Sequence, residues 1–336
     1  MTMLSIDAAH ALAIAALSAV GVPSWEAEVT AGALVMADRD GLASHGLSRL
    51  PFYLDQARSG KIVAGARAEV AIEGSVIRID AQHGLAFPAI ARGVESAIPL
   101  ARELGMVAVA IGRSHHFGVA GYPVERLARE GLMAMAFSNA PSAMAPWGGN
   151  RPLYGTNPIA FAAPRANAEP LVIDLSLSKV ARGKVMLAKK AGEPIPEGWA
   201  LDTQGRPTTD ADAAIAGSMV PAGDAKGASL ALMVELLTAG LTGSHFGFQA
   251  GSFFDAEGEP PSVAHLLLVF DPERFAAGYL AHAEALFDEM LAQPGVRLPG
   301  ARRFATRARH SETIELPDAL VEEVAGYQEN GRVRPT

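Results

Sequence analysis

A histidine and an arginine that could act on a small acid lie in one short polar segment, residues 38–49. His45 can donate or accept a proton near neutral pH, and Arg49 can bind a carboxylate through two parallel hydrogen bonds. If both lie in the first turn of a helix, their four-residue spacing places them on one face. The segment therefore predicts a site that orients and protonates a small 2-substituted acid. The alternative is an ordinary helix start, in which Ser44 caps the helix and His45 is merely exposed.

A second polar segment follows an apolar run. Residues 106–111 predict a strand buried on both faces, and residues 112–123 bring two histidines and several glycines before a helix. Ligands of α/β proteins bind at such strand ends, and free N–H groups at the start of a helix suit a phosphate. In a strand, the adjacent His115 and His116 would point to opposite faces and could not bind one metal together. We expect a ligand contact from one of the pair, and no metal.

Helices and strands that must hold these segments follow from the apolar periodicity. Helices are predicted over residues 6–20, 23–37, 51–60, 87–104, 124–130, 230–241, 272–291 and 317–329. Strands are predicted over residues 68–72, 76–81, 106–111, 133–137, 159–163, 171–175 and 263–270. Residues 191–210 predict a surface excursion, because they hold three prolines, and residues 295–303 predict a basic turn.

The composition excludes several classes of protein. Of the 336 residues, 49% are apolar and 19% charged, which is typical of a globular chain. A net charge of −8 without a basic run argues against nucleic acid as the ligand. The absence of cysteine excludes disulfides and thiolate chemistry. No signal-peptide pattern and no long apolar run is present, so we expect a cytoplasmic protein that does not interact with a membrane.

Common catalytic motifs are also missing. No two glycines are separated by a single residue, which disfavours the ordinary Rossmann fold, because its tight turn and its close approach to the pyrophosphate need those glycines. The chain has no phosphate-binding loop of the Gly-x-x-x-x-Gly-Lys type, no His-Glu-x-x-His and no Gly-x-Ser-x-Gly. The common hydrolase and phosphotransferase mechanisms therefore lose most of their support.

Several motifs in one order resemble the malate/L-lactate dehydrogenase family of non-Rossmann NAD(P)-dependent oxidoreductases. They are Asp-Gly-Leu-Ala-Ser-His-Gly at 40–46, Ser-His-His-Phe-Gly at 114–118, Trp-Gly-Gly at 147–149 with Gly-Thr-Asn-Pro at 155–158, Pro-Ile-Pro-Glu-Gly-Trp at 194–199 with Thr-Thr-Asp at 208–210, and Lys-Gly at 226–227. The resemblance covers nearly the whole chain. It implies an α/β (α+β-like) fold with a largely antiparallel central sheet flanked by helices, and a homodimer whose subunits both shape the site.

The resemblance also implies roles for individual residues. The catalytic acid falls on His45 with Ser44 beside it, and the substrate-binding residues would be Arg49, Thr156, Arg182 and Gly183. The cofactor-binding residues would be His116, Phe117, Gly118, Val119, Ala120, Asp174, Leu175, Ser176, Lys226, Arg297, Arg302 and Arg303. Residues 1–65 with 304–336 would form a helical dimerisation region carrying the histidine, and residues 66–303 would bind cofactor and substrate.

The basic turn at residues 297–303 is similar to the imine-reductase branch of the family. We therefore expect reduction of Δ1-pyrroline-2-carboxylate or Δ1-piperideine-2-carboxylate, with NADPH favoured over the alternative NADH, because arginines can pair with a 2′-phosphate. The alternatives are a 2-hydroxy acid dehydrogenase acting on malate, L-lactate, ureidoglycolate or a sugar acid, and a non-catalytic ligand-binding protein. Two positions depart from the pattern: Lys184 stands where some imine reductases carry an acid, and Ala225 where a histidine often precedes Lys226.

Overall fold

A seven-stranded sheet occupies the centre of the computed structural model, which describes residues 1–330 and the side chains of residues 1–328. The strands are β1 Thr2–Ser5, β2 Glu69–Glu73, β3 Val76–Asp80, β4 Met106–Ser114, β5 Met133–Ser138, β6 Ile159–Ala163, β7 Leu171–Leu175, β8 Ala200–Leu201, β9 Pro207–Thr208, β10 Ser218–Met219, β11 Val263–Phe270 and β12 Thr313–Leu316. The central sheet has the order β2-β3-β4-β11-β5-β6-β7, and every pair except β3–β4 is antiparallel. The prediction of a largely antiparallel sheet is confirmed.

Helices cover both faces of this sheet. They are α1 Ile6–Ala19, α2 Ser24–Arg39, α3 Leu50–Ser59, α4 Ala86–Leu104, α5 Gly121–Arg129, α6 Arg182–Ala191, α7 Ala211–Ala216, α8 Ala225–Glu235, α9 Pro272–Phe275, α10 Tyr279–Leu291, α11 Ala301–Arg309 and α12 Asp318–Asn330. On one face, α4 and α5 bury Val94 and Leu127 against the sheet; on the other, α8 buries Val234. Within residues 1–330, no helix has both the length and the hydropathy to cross a bilayer.

The two ends of the described chain meet beside the sheet. Strands β1 and β12 pair antiparallel, and α1 packs against α2 and α12. These helices and α3 enclose a second core that includes Leu17, Leu34, Tyr53 and Tyr327. Residues 38–49, called the catalytic segment after the role predicted for His45, lead from the last turn of α2 in this helical cluster to α3. The predicted division into 1–65 with 304–336 and 66–303 stays a prediction, and its last six residues lie outside the described part of the chain.

Several predicted elements are wrong in detail. The expected helix start at His45 and Arg49 is instead two 3-10 turns, Ala43–His45 and Leu47–Arg49, and α3 begins only at Leu50. The single helix predicted over residues 272–291 is broken, because Gly278 adopts a φ of +79° before α10. The basic turn ends in an unpredicted helix, α11, whose arginine-rich sequence has little apolar periodicity to reveal it.

Candidate active site

A glycine and a buried acid set the path of the catalytic segment. Asp38, in the last turn of α2, accepts a hydrogen bond from the backbone N–H of Leu47 at 2.8 Å. A Cβ at Gly46 would overlap the Asp38 carboxylate, so only glycine lets the chain pass this closely. Burial raises the pKa of Asp38 to about 6, and the hydrogen bond from Leu47 opposes this. The position of the two 3-10 turns is therefore fixed by the contact of Asp38 in α2 with the backbone of Leu47.

His45 is neutral near pH 7 in this environment. Burial, followed by the positive charge of Arg49, lowers its pKa to about 4. Asp174 raises the pKa and Arg303 lowers it, so these two influences oppose each other. Nδ1 of His45 lies 2.9 Å from the hydroxyl of Ser44, which leaves Nε2 for a substrate. The imidazole can thus accept a proton from a hydroxyl group at neutral pH.

Ser44 does not cap a helix. None of the three elements that begin between Ala43 and Leu50 has a side-chain cap. The hydroxyl of Ser44 contacts His45 instead, and its carbonyl accepts a hydrogen bond from Nε of Arg49 at 2.8 Å. The alternative reading of this segment, an ordinary capped helix start, therefore does not describe the structure.

The guanidinium of Arg49 is half-buried and has a free edge. Its Nη1 is buried without a hydrogen-bond partner in the described part of the chain, and the group lies 4.5 Å over the ring of Phe254. The described residues offer it no carboxylate, and burial lowers its pKa. A buried arginine without a counter-charge suits an anionic ligand, because the ligand supplies the missing charge and acceptors.

The two adjacent histidines have different environments. His115 is 1% exposed and donates from Nε2 to the side-chain oxygen of Gln56 at 2.6 Å, so it holds the loop in place. His116 is half-buried, and its ring stacks on that of His45 with centroids 5.6 Å apart. The rings of His115 and His116 both contact Tyr53 and Phe253, so the prediction that the two adjacent histidines point to opposite faces is wrong. The reason is that β4 ends at Ser114, before the alternation reaches them.

Asp38, Asp40 and Asp174 are near the site, but none of them forms a hydrogen bond to the ring of His45. Asp38 binds the backbone of Leu47. Asp40 forms a two-pronged ion pair with Arg307, at 2.6 and 2.9 Å. Asp174 accepts a hydrogen bond from the first N–H of α5, that of Gly121, at 2.8 Å. Within the described residues, Ser44 is the hydrogen-bonding partner of the His45 ring.

The start of α5 is partly occupied by the protein itself. We expected free N–H groups here for a phosphate, but the Asp174 carboxylate takes that of Gly121 and pairs with Arg303 at 3.0 Å. Nη1 of Arg303 is buried without a partner among the described residues, at the position that a Cβ of Gly121 would fill. Nη1 of Arg303 therefore remains as a donor for a ligand beside the start of α5. The Asp174 carboxylate nevertheless reduces the positive charge at this helix end.

The other predicted cofactor residues range from buried to exposed: Phe117 and Ala120 are 4% and 2% exposed, and Gly118 is also buried. Gly118 has a φ of +74°, and a Cβ there would overlap the ring of Phe87, so the segment 116–120 needs this glycine. Leu175 and Ser176 are exposed at the end of β7. Three exposed cations form no ion pair within the described chain: Lys226, Arg297 and Arg302. The last two fit a 2′-phosphate, because arginine binds phosphate in a bidentate manner.

The predicted substrate residues outside the catalytic segment are placed by two different elements. Arg182 and Gly183 begin α6, and Arg182 lines a cavity of about 190 Å³ with Ser142 and Gly217. Burial lowers the pKa of Arg182, and no acid pairs with it in the described chain. Thr156 is half-buried in the loop after β5 and accepts the N–H of Leu177 at 2.8 Å through its carbonyl.

Sequence reasoning missed the residue that anchors the Gly-Thr-Asn-Pro loop. Glu235 is 2% exposed and accepts hydrogen bonds from the side chains of Asn157 at 2.9 Å and Asn139 at 3.1 Å. It also accepts the backbone N–H of Gly247 at 3.0 Å. A lone acid in the apolar run at residues 230–241 was the available signal, because an unpaired charge is rarely buried.

Comparison with known proteins shows which family this chain resembles in sequence and in structure. The family described as malate/L-lactate dehydrogenase matches residues 4–325. The (2R)-3-sulfolactate dehydrogenase (NADP(+)) of Chromohalobacter salexigens is 79% identical over 97% of this chain and 98% of its own length. The Δ1-piperideine-2-carboxylate reductase of Pseudomonas syringae is 36% identical, with a TM-score of 0.91 over 97% of this chain and all of that one. The sulfolactate dehydrogenase of Methanocaldococcus jannaschii is 30% identical, with a TM-score of 0.90 over 97% and 96%.

These comparisons correct the expected activity. The prediction of an imine reductase is wrong, because a near-full-length relative at 79% identity is a 2-hydroxy acid dehydrogenase and the reductase above is only 36% identical. The alternative, a 2-hydroxy acid dehydrogenase, has the better support. The motifs, the sheet and the similarity over nearly the whole length agree: the chain belongs to the malate/L-lactate dehydrogenase family of oxidoreductases.

Proposed function

We propose that this enzyme oxidises (2R)-3-sulfolactate, or a closely similar 2-hydroxy acid with a second anionic group, to the corresponding 2-oxo acid with NADP(+). The observation that carries the proposal is the pairing of a neutral His45 with an arginine, Arg49, that has no counter-charge in the described chain. The relative at 79% identity supports the choice of substrate and cofactor.

His45 moves the proton in this mechanism. Its Nδ1 is engaged by Ser44, so Nε2 accepts the proton of the C2 hydroxyl as the carbonyl forms. Bound NADP(+) would supply the acceptor for the hydride of C2. In the reverse direction the same nitrogen returns the proton to the carbonyl oxygen. A dianionic substrate next to the ring raises its pKa, because a nearby negative charge favours the imidazolium.

Two arginines account for the two anionic groups of the substrate. Arg49 binds the carboxylate next to C2 through its free Nη1 edge, while its Nε stays fixed on the Ser44 carbonyl at 2.8 Å. Arg182 binds the second anionic group, here a sulfonate. Its support is burial without an acidic partner in the described chain and its position on a cavity of about 190 Å³. An imine acid such as Δ1-pyrroline-2-carboxylate has a single anionic group and leaves one arginine unmatched.

The residues present fit a phosphorylated dinucleotide. Arg297 and Arg302 are exposed and unpaired within the described chain, as a 2′-phosphate requires, and Lys226 at the start of α8 adds a further cation. We assign the segment 116–120, the strand end at residues 174–176 and these cations to the cofactor, with Thr156, Arg182 and Gly183 on the substrate side. NADPH is favoured over NADH.

A homodimer remains part of the proposal. Helix α8 and the turn after it lie outside the predicted dimerisation region, but they expose several large apolar side chains, and such a surface is typical of a subunit interface. Leu232 is 45% exposed and Leu236 is 54% exposed. A cytoplasmic location stays a prediction.

A substrate panel on the purified enzyme tests the function. The absorbance of NADPH is followed with NADP(+) and (2R)-3-sulfolactate, L-malate, L-lactate or L-proline. We expect the highest kcat/KM with sulfolactate, and His45→Asn should lower kcat by about 100-fold, the usual scale of acid–base catalysis. Highest activity with L-proline, or unchanged turnover in the His45 variant, contradicts the proposal.

The same panel tests the second anion site. Arg182→Gln should lower kcat/KM for sulfolactate by about tenfold or more, because it removes at least one charge-assisted hydrogen bond. It should leave kcat/KM for L-lactate, which has no second anion, within about twofold. Equal losses with both substrates would mean that Arg182 binds the carboxylate next to C2 or only stabilises the local structure.

A further inference from the structure

Tyr53 makes one side-chain hydrogen bond in the described structure, to His116. It belongs to α3, is 1% exposed, and its hydroxyl oxygen lies 2.6 Å from Nδ1 of His116. The ring is packed between Phe87 and the two histidines. The hydroxyl hydrogen therefore has one acceptor within reach, the Nδ1 nitrogen.

Only one tautomer of His116 satisfies both groups. If Nδ1 carried the hydrogen, it would donate to the tyrosine oxygen, and the buried hydroxyl hydrogen would have no acceptor. If Nε2 carries it, Tyr53 donates to Nδ1 and both groups are satisfied. Burial raises the pKa of Tyr53 and lowers the pKa of His116 well below its ordinary value, so both groups stay neutral around pH 7. The Tyr53 hydroxyl then donates its hydrogen to Nδ1 of His116, and the single ring hydrogen of His116 is on Nε2.

We propose that Tyr53 is a positioning residue that fixes His116 in the tautomer with hydrogen on Nε2, so that this N–H donates to an oxygen of a ligand in the active site. Nε2 of His116 forms no hydrogen bond to the described residues. The ring stacks on His45, 5.6 Å away between centroids, so the donor stands beside the proton acceptor of the reaction. His45 takes a proton while His116 offers one to an oxygen, and the two neighbouring rings have complementary roles.

The oxygen that receives this hydrogen bond belongs either to the nicotinamide amide or to the hydroxy acid. This part rests on the proposed function, whereas the tautomer does not. Phe253 packs against His115 and His116 with centroids 5.1 and 5.2 Å away, and its carbonyl accepts from the Gln56 side chain at 3.0 Å. The His116 ring is thus held from the other side as well, and Tyr53 contributes the choice of tautomer.

The first test reads the tautomer in the ligand-free enzyme by NMR of 15N-labelled histidine, with His116→Gln to identify the signals. We expect a protonated Nε2 and an unprotonated Nδ1 at pH 7. A protonated Nδ1 would overturn the proposal, and it would do so whether or not the enzyme oxidises sulfolactate. In Tyr53→Phe the two nitrogens should move toward intermediate shifts as both tautomers become populated.

The second test uses Tyr53→Phe in binding and turnover. We expect kcat/KM to fall about tenfold, the effect of losing one well-placed hydrogen bond. A weaker Kd for NADPH places the acceptor on the cofactor, and a raised KM for the acid with unchanged Kd places it on the substrate. Tyr327→Phe is the matched control, because it removes another buried hydroxyl that bonds α3, through Asp55 at 2.5 Å, away from His116. A single unchanged tautomer with unchanged kinetics in Tyr53→Phe overturns the proposal.

Discussion

Arg49 and Arg307 are two half-buried arginines attached to the same catalytic segment, and their surroundings are opposite. Arg307 reaches from α11 to Asp40, at 2.6 and 2.9 Å, and to Glu125, at 2.5 and 2.8 Å. Although burial opposes it, hydrogen bonding to these two acids raises the pKa of Arg307. Arg49 has no acid in the described chain, one buried nitrogen without a partner, and a pKa lowered by burial.

This difference is expected between a structural arginine and the arginine proposed to bind the substrate. A buried charge that the protein itself neutralises costs little to keep, so Arg307 ties the end of α2 to α5 and α11. A buried charge that stays unneutralised stores an unfavourable energy, which an anionic ligand relieves on binding. Arg182 is also half-buried and has no acidic partner in the described chain, and it is proposed as a binding residue on the same ground.

Replacing Arg49 should have the largest effect on catalysis. Arg49→Lys keeps the charge but removes the planar fork that matches a carboxylate. We expect kcat/KM for the hydroxy acid to fall by about 100-fold, which corresponds to roughly 3 kcal/mol of lost charge-assisted hydrogen bonding. Steady-state kinetics at saturating NADP(+) measure this. A loss of less than about threefold would mean that Arg49 does not bind the carboxylate.

The dependence of kcat/KM on pH should show a smaller effect of the Arg49 charge, through the pKa of His45. Burial, followed by Arg49, lowers the pKa of His45 to about 4, so the neutral base persists well below the ordinary value of 6.5. At pH 5.5 the wild-type kcat/KM should stay above about 90% of its plateau, whereas a pKa of 6.5 would leave about a tenth. In Arg49→Met the acid limb should move upward, because a neighbouring positive charge is gone. In Arg307→Met it should stay in place.

The same low pKa has a consequence for stability, and its sign is fixed. His45, and the buried His115 and His265 with pKa values of about 3, are neutral in the folded chain at pH values where the unfolded chain binds their protons. Between pH 6.5 and about 3, these three histidines therefore make the free energy of unfolding rise with pH, whereas Asp38, whose pKa is raised to about 6, opposes the rise between about pH 4 and 6. The contribution of the histidines is complete above pH 6.5 and is lost as the pH falls through this window. Urea unfolding at pH 5 and pH 7 measures the difference, and equal stabilities at both would contradict it.

Local patterns in the sequence predicted much of the fold. Strands β6, β7 and β11 begin and end at the predicted residues, because predominantly apolar runs of five to eight residues predict strands even where one polar residue, Asp174 in β7 or His265 in β11, interrupts them. The arginine-rich helix α11 has no such pattern and was missed. His45 and Arg49 were predicted as site residues from their residue types and spacing. The helix predicted to carry both is instead two 3-10 turns.

What the sequence could not provide is pairing over long distances. Asp40 and Arg307 are separated by 267 positions, and Tyr53 and His116 by 63. A residue type alone does not say whether a partner neutralises it. For that reason Arg303 was predicted only as a cofactor contact, and its ion pair with Asp174 was not anticipated.

Replacing Arg307 should change kinetics least and stability most. Arg307→Met leaves the buried carboxylates of Asp40 and Glu125 without their shared partner, although Arg129 still contacts Glu125 at 3.0 Å. Breaking a buried pair in this way costs roughly 3 kcal/mol of folding free energy, while kcat/KM of the folded enzyme should stay within about twofold. Arg78→Met is the matched control, since its pair with Glu73 is 62% and 76% exposed and should contribute little. If Arg307→Met lowered kcat/KM more than tenfold without lowering Tm, Arg307 would be a ligand-binding arginine like Arg49, and the distinction between neutralised and unneutralised arginines would fail.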